Sequence, residues 1–184
     1  MPTPEDFSVL CGALLVSGFP GAELDADTVR ALASGHRAGV ILFRRNIEGA
    51  SIDAIRTLCG EILQVTPRHP GPFISVDQEG GRVMRLGAPV VQLPPMRVLG
   101  NIGDADLARK AGNVLGAELR AIGFNLDFAP VLDVDSNPDN PVIGDRSFSR
   151  DPVKVGELGA AFAEGLEGAR VLACGKHFPG HGDT

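Results

Sequence analysis

Apolar positions along the chain fall into short continuous runs and helical periodicities that alternate from end to end. Val9 to Ser17 reads as a first strand, after which Asp25 caps a helix whose apolar face carries Val29, Leu32 and Ala33, with Gly39 ending it. Val40-Ile41-Leu42-Phe43 is uniformly apolar, the pattern of a strand covered on both faces. Ser51 opens a second helix with Ile52, Ile55, Leu58, Ile62 and Leu63 at helical spacing, and Thr66-Pro67 stops it. Phe73-Ile74-Ser75-Val76 is the third strand. After a Pro-rich connection, Asp104 caps the most regular helix, with Leu107, Ala111, Val114, Leu115, Leu119 and Ile122 on one face and Gly123 just past its end. Asn125 to Val134 predicts a fourth strand. Asp151-Pro152 starts a helix through Leu158, Phe162 and Leu166, and Val171-Leu172-Ala173-Cys174 begins the fifth strand.

Strict strand–helix alternation implies right-handed parallel crossovers, which leaves a doubly wound sheet or a (β/α)₈ barrel. The polar residues favour the barrel. Asp77, the Asp133/Asp135 pair and Lys176-His177 fall at the C-terminal ends of predicted strands, where barrel enzymes place their chemistry, and no Gly-x-Gly-x-x-Gly follows the first strand. The strands are expected at residues 9–17, 40–46, 73–77, 125–134 and 171–176. About five strands and four helices fall short of the eight of each that close a barrel. Residues 1–184, which no linker divides, are therefore expected to be the N-terminal part of a single barrel domain, incomplete at its C-terminal side.

Bulk properties narrow the partners. A chain of 184 residues with 43% hydrophobic content can bury a sizeable core. Its net charge of −6, with no local run of Lys or Arg, opposes nucleic acid and anionic membrane surfaces. The N-terminus lacks a positive n-region, and the apolar stretch from Val9 to Val16 is too short to span a bilayer, so a cytoplasmic location is expected. Cys11, Cys59 and Cys174 are odd in number and set in apolar or helical contexts, which predicts buried free thiols.

Three segments carry candidate chemistry. Asp77-Gln78-Glu79-Gly80-Gly81-Arg82 sets two carboxylates beside a glycine pair able to bring backbone close to a ligand; it could equally be a turn in which Glu79 pairs with Arg82. The loop from Asn137 to Phe148 places Arg146 beside Asp145, either as site residues or as a structural pair. Lys176-His177-Phe178-Pro179-Gly180-His181-Gly182-Asp183-Thr184 is the densest cluster. His177 and His181 have the i, i+4 spacing of helical zinc ligands, but Pro179-Gly180 between them opposes a helix, and neither a metal nor another cofactor is expected.

Several segments together resemble the family 3 glycoside hydrolases, in their bacterial β-N-acetylhexosaminidase branch. They are Gly39 to Phe43 with Arg45-Asn46, Val76 to Val83 with Arg85-Leu86, Asn125 to Val134, Gly144 to Phe148, and Lys176 to Thr184, in the family's order and spacing. The resemblance implies a (β/α)₈ barrel and retaining exo-hydrolysis of terminal β-linked N-acetylglucosamine. It also implies a substrate such as the N-acetylglucosaminyl-anhydromuramyl fragments recycled from peptidoglycan. Carried over residue by residue, it implies sugar-binding roles for Asp77, Arg85, Arg146, Lys176 and His177. It places the proton-transfer histidine with its aspartate, and the aspartate nucleophile, after Thr184, so no catalytic residue is assigned within the chain. The absence of Trp and Tyr runs against a glycan enzyme that stacks its substrate, although an exo-acting pocket that grips one terminal sugar by hydrogen bonds can work without a stacking platform. Two other readings stay open: a Schiff-base aldolase using Lys176, and a sugar-binding protein without turnover.

Overall fold

The computed structural model describes residues 3–66 and 71–183. The chain forms two compact units, Met1–Val76 with Ile122–Asn125, and Asp77–Ala121 with Leu126–Thr184.

The first unit opens with a helix where the sequence predicts a strand. Thr3 accepts the Asp6 N–H at 3.2 Å while the Asp6 carboxylate accepts the Thr3 N–H at 2.7 Å, a reciprocal cap, and Pro4 occupies the first helical position. This start signal carries α1 through Pro4–Gly12, and β1 shrinks to Val16–Ser17. A short apolar run does not distinguish strand from helix, and here the cap decides. The second helix, α2, spans Ala26–Ala33 and is capped by Asp25, which accepts the N–H groups of Asp27 and Thr28. It ends at Gly35, whose φ of +76° makes the turn, rather than at Gly39. Gly39 instead begins β2, Gly39–Leu42, where a Cβ would lie 2.2 Å from the Phe73 carbonyl oxygen.

A short α3, Arg44–Ile47, follows without a clear sequence signal. Within it Asn46 is buried, accepting the Phe43 N–H at 2.8 Å and donating to the Phe19 carbonyl at 3.1 Å. α4, Ile52–Val65, is capped by Ser51 and buries Ile55, Leu58, Cys59 and Ile62, close to the predicted face. Pro67 of the predicted stop lies outside the described residues. β3, Phe73–Val76, pairs in parallel with β2, which pairs in parallel with β1. Leu32, Val40, Leu42, Ile74 and Phe124 fill this unit's core.

In the second unit α5, Met96–Ile102, was hidden in the Pro-rich connection, and α6, Ala105–Ile122, is the predicted regular helix. Its buried face is Ala108, Leu115, Leu119 and Ile122, while Leu107 and Val114 of the predicted face are exposed by 37% and 49%. Glycines set this rotation. A Cβ on Gly112 would lie 2.2 Å from the Phe162 carbonyl oxygen, and one on Gly165 would lie 2.1 Å from that of Arg109. The backbones of α6 and α7 (Pro152–Gly168) therefore touch along a seam that apolar periodicity alone does not mark. Phe148 and Phe162 meet edge to face at 6.4 Å in the core beside it.

The fourth predicted strand is regular only at β4, Leu126–Asp127, which pairs in parallel with β5, Leu172–Ala173. A single parallel bridge, Val131 to Lys176, extends that pairing. Pro130 between them has no N–H to give to a ladder. All these ladders are parallel, as successive βα units require, although the described residues hold seven α-helices rather than four. Among the described residues no helix is long and apolar enough to cross a membrane. Of the cysteines only Cys59 is buried; Cys174 is partly covered and Cys11 is exposed on α1.

Candidate functional site

The segment after β3 in the chain supplies the first site residues. Alternation along an extended stretch sets Asp77 and Glu79 to one side and Gln78 to the other. Gln78 is fully buried and clamps the following loop: its Oε1 accepts the N–H groups of Arg85 and Leu86 at 2.8 and 3.0 Å, and its Nε2 donates to the Leu86 carbonyl at 3.0 Å. Gly80 and Gly81 have φ of +102° and +58°, and a Cβ on Gly81 would lie 2.9 Å from the Pro95 backbone. Both the positive φ and the close approach require glycine here, as the sequence suggests.

The three candidate segments converge on one charged network. Asp77 accepts from Arg85 at 3.2 Å with one oxygen and from Lys176 at 2.8 Å with the other. Lys176 also lies 2.5 Å from Glu79. Glu79 in turn takes both Nε and an Nη of Arg146, at 2.8 and 2.9 Å, in a bidentate fork. A second contact of Arg146 reaches His177 Nε2 at 3.4 Å, and His177 Nδ1 is 2.5 Å from Asp133. All five residues named from the sequence, Asp77, Arg85, Arg146, Lys176 and His177, thus stand in one connected set. Glu79 and Asp133 are its hubs.

Burial makes these contacts matter. The side chain of Glu79 is 2% exposed and that of Asp133 1%, whereas Lys176, Asp77, Arg85 and His177 show 14–28% of their surface. The hubs are enclosed and the outer groups present polar tips. The hydrogen bonds that Arg146 donates to Glu79 push its guanidinium further up, outweighing the opposing effect of burial. Burial would raise the Asp133 carboxyl, but the His177 side chain and the N–H groups of His181 and His177 carry it below the usual carboxylate range.

Local structure fixes each contributor. The Lys176 N–H donates to the Pro130 carbonyl at 3.1 Å, and its own carbonyl accepts from Leu132 at 2.6 Å, so the residue stays registered beside the strand end. The Lys176–His177 peptide is cis. Asp133 holds the loop that follows, accepting the backbone N–H groups of His177 at 3.1 Å and His181 at 2.5 Å. Arg146 sits on a 3₁₀ turn, Gly144–Arg146. That turn is steadied by Arg97, which donates to the carbonyls of Gly144 and Ser147 and pairs with Asp135 at 2.8 Å.

Two local pairings suggested by the sequence are not formed. Arg82 donates to the carbonyls of Pro141 and Val142 instead of pairing with Glu79, and Arg146 pairs with Glu79 instead of Asp145. Neighbours in sequence lost to partners that the fold brings closer. Residues 174–183 contain no helix, so His177 and His181 do not present a helical i, i+4 pair; their rings meet edge to face at 5.2 Å. Among the described residues no group of three His, Cys, Asp or Glu is placed to hold a metal ion. Thr184 lies outside the described residues. Lys176 is held by two carboxylates, Asp77 and Glu79, rather than set in the apolar or cationic pocket that activates a Schiff-base lysine.

Sequence reasoning noted Asp133 only as a strand-end residue and missed Glu79 as a hub. Its spacing of two from Asp77 was the available signal. It also missed Asp127, which is buried on β4.

Comparison with known proteins gives a consistent result. Residues 12–184 match the glycosyl hydrolase family 3 N terminal domain. The β-hexosaminidase of Chromobacterium violaceum is 49% identical over 150 residues, covering 78% of this chain and 41% of the relative. That of Thiobacillus denitrificans is 46% identical over 170 residues, covering 88% and 45%. The chain spans less than half the length of these curated relatives. Among solved structures, NagZ from Neisseria gonorrhoeae in complex with N-trifluoroacetyl-D-glucosamine superposes with a TM-score of 0.83 at 39% identity, over 91% of this chain and 50% of that one. A family 3 β-N-acetylglucosaminidase from Paenibacillus sp. str. FPU-7 gives 0.88 at 40% identity, over 99% and 34%.

Proposed function

The chain belongs to glycosyl hydrolase family 3 through that family's N-terminal domain, and from this premise we propose that the protein containing it removes terminal β-linked N-acetylglucosamine with retention of configuration. The observation that carries the reading is the single network joining Asp77, Arg85, Lys176, Glu79, Arg146, His177 and Asp133. The names of the relatives, and the glucosamine derivative bound by the gonococcal protein, support the choice of sugar.

In this reading both compact units are parts of one barrel domain, and Asp77, Arg85, Arg146, Lys176 and His177 bind the terminal sugar. A pyranoside offers hydroxyls that donate and accept. Asp77 supplies an acceptor, while Arg85, Arg146 and Lys176 supply donors fixed in advance by their carboxylate partners. Each charge-assisted bond is worth about 1.5–3 kcal/mol, and fixing the donors beforehand spares the sugar the cost of ordering them. Retention needs a nucleophile and an acid/base group on opposite sides of the scissile bond. The reading leaves both, as the resemblance implies, to sequence following Thr184, and assigns binding and orientation to the residues described here. We assign as substrate the N-acetylglucosaminyl fragments of peptidoglycan, processed in the cytoplasm.

The test uses the full-length protein with 4-nitrophenyl N-acetyl-β-glucosaminide and the corresponding β-glucoside. The acetamido substrate should be cleaved in preference, with the β-anomer of N-acetylglucosamine as first product by NMR. Asp77→Ala should weaken binding of the free sugar by about 1–3 kcal/mol. Absence of hydrolysis, or an unchanged inhibition constant for Asp77→Ala, would overturn the assignment.

A further inference from the structure

Asp127 on β4 is fully enclosed and, among the described residues, forms no ion pair. Its Oδ1 accepts the Gln78 N–H at 3.0 Å, and its Oδ2, also buried, has no hydrogen-bond partner among the described residues. Gln78 stands between Asp77 and Glu79, the two carboxylates that face Lys176. Its side chain in turn holds the backbone of Arg85 and Leu86.

We infer that Asp127 is a positioning residue for the sugar site, holding from beneath the segment that carries Asp77 and Glu79 and, through Gln78, the loop that carries Arg85. The inference rests on the reading of that site as sugar-binding. An ionised carboxylate without a counter-ion contact is costly to bury, whereas a neutral one still accepts the Gln78 N–H. The surroundings agree with the neutral form. Burial pushes Asp127 well above the usual carboxylate range; the Gln78 N–H and Lys176 pull against that, and Asp77 and Glu79 reinforce it. Asp77 and Glu79 already share Lys176, so an ionised Asp127 would set a third carboxylate against that one ammonium.

Its role is then that of an acceptor of fixed shape, which an amide can fill. Asp127→Asn and Asp127→Leu in the full-length protein test this by four readouts: infrared difference spectra, hydrogen exchange at the Gln78 amide, calorimetry with N-acetylglucosamine, and the pH profile of kcat/KM. At neutral pH the wild-type protein should show a protonated-carboxyl band that Asp127→Asn removes. Asp127→Asn should keep slow exchange at Gln78, sugar affinity within about twofold of wild type, and the wild-type pH profile of kcat/KM. Asp127→Leu should accelerate that exchange and raise the dissociation constant about tenfold. Overturning results are a missing protonated-carboxyl band, an asparagine variant as impaired as the leucine one, or a leucine variant that binds normally. Should Asp127→Leu fail to fold, the infrared band and the asparagine variant still decide. If wild-type protein does not bind N-acetylglucosamine, the sugar reading fails, while the infrared and exchange measurements still decide the role of Asp127.

Discussion

Glu79→Gln probes the centre of the network most directly. It removes one negative charge from a side chain only 2% exposed, leaving Arg146 without its bidentate partner and Lys176 with one carboxylate instead of two. Charges about 4 Å apart in a medium of effective dielectric about 20 attract by roughly 4 kcal/mol. Removing one member of a buried pair typically costs about 3–5 kcal/mol, because the other charge is stranded. Lys176 keeps Asp77, and Arg146 keeps the Val142 carbonyl, so the loss belongs near the lower end, about 3 kcal/mol. Equilibrium urea unfolding of the full-length protein measures it, with an unchanged m-value locating the effect in the native state. A double variant sharpens the argument. Glu79→Leu with Arg146→Met removes both charges, and should recover most of the stability while losing the sugar contact assigned to Arg146, since apolar replacement of a buried pair is often nearly neutral. A loss below about 1 kcal/mol for Glu79→Gln, the range of an exposed pair, would refute the claim that burial makes Glu79 a hub.

Two further outcomes follow from titrating groups. The Asp133 carboxyl lies below the usual carboxylate range in the folded protein, so its contribution to stability is present above the unfolded value near 3.9 and lost as pH falls through the lower folded value. Asp133→Asn should therefore lower the urea midpoint at pH ~7 and flatten its decline below about pH 4, and parallel curves for the two proteins would refute this. Burial pushes the Cys59 thiol up to about 12, while Cys11 is exposed, so a maleimide at mild alkaline pH should label Cys11 in the native protein and Cys59 only after denaturation. Mass spectrometry of tryptic peptides checks this, and native labelling of Cys59 would contradict its burial.

Much of the architecture can be read from residue order. The runs around Val40, Phe73 and Val171 and the caps at Asp25, Ser51 and Asp151 all mark real elements, because apolar period and capping chemistry act over a few residues and leave a local trace. The family motifs likewise single out Asp77, Arg85, Arg146, Lys176 and His177, which the tertiary structure joins in one network. Where two local signals compete, sequence reading falters: at Val9–Gly12 an apolar run suggests a strand, and only the reciprocal cap of Thr3 and Asp6 turns it helical. Other features have no local trace at all. The buried face of α6 depends on Gly112 meeting the Phe162 carbonyl 50 positions away in sequence. Glu79 chooses Arg146 over Arg82, its neighbour in sequence, because the fold encloses the first contact and leaves Arg82 half exposed. Asp127 looks like any strand residue until its enclosure beneath Gln78 is seen. The sequence determines which residue types stand near the ends of which strands. Only tertiary structure decides which charges meet and which are shut away from water, because pairing and burial depend on distances through space that residue order does not contain.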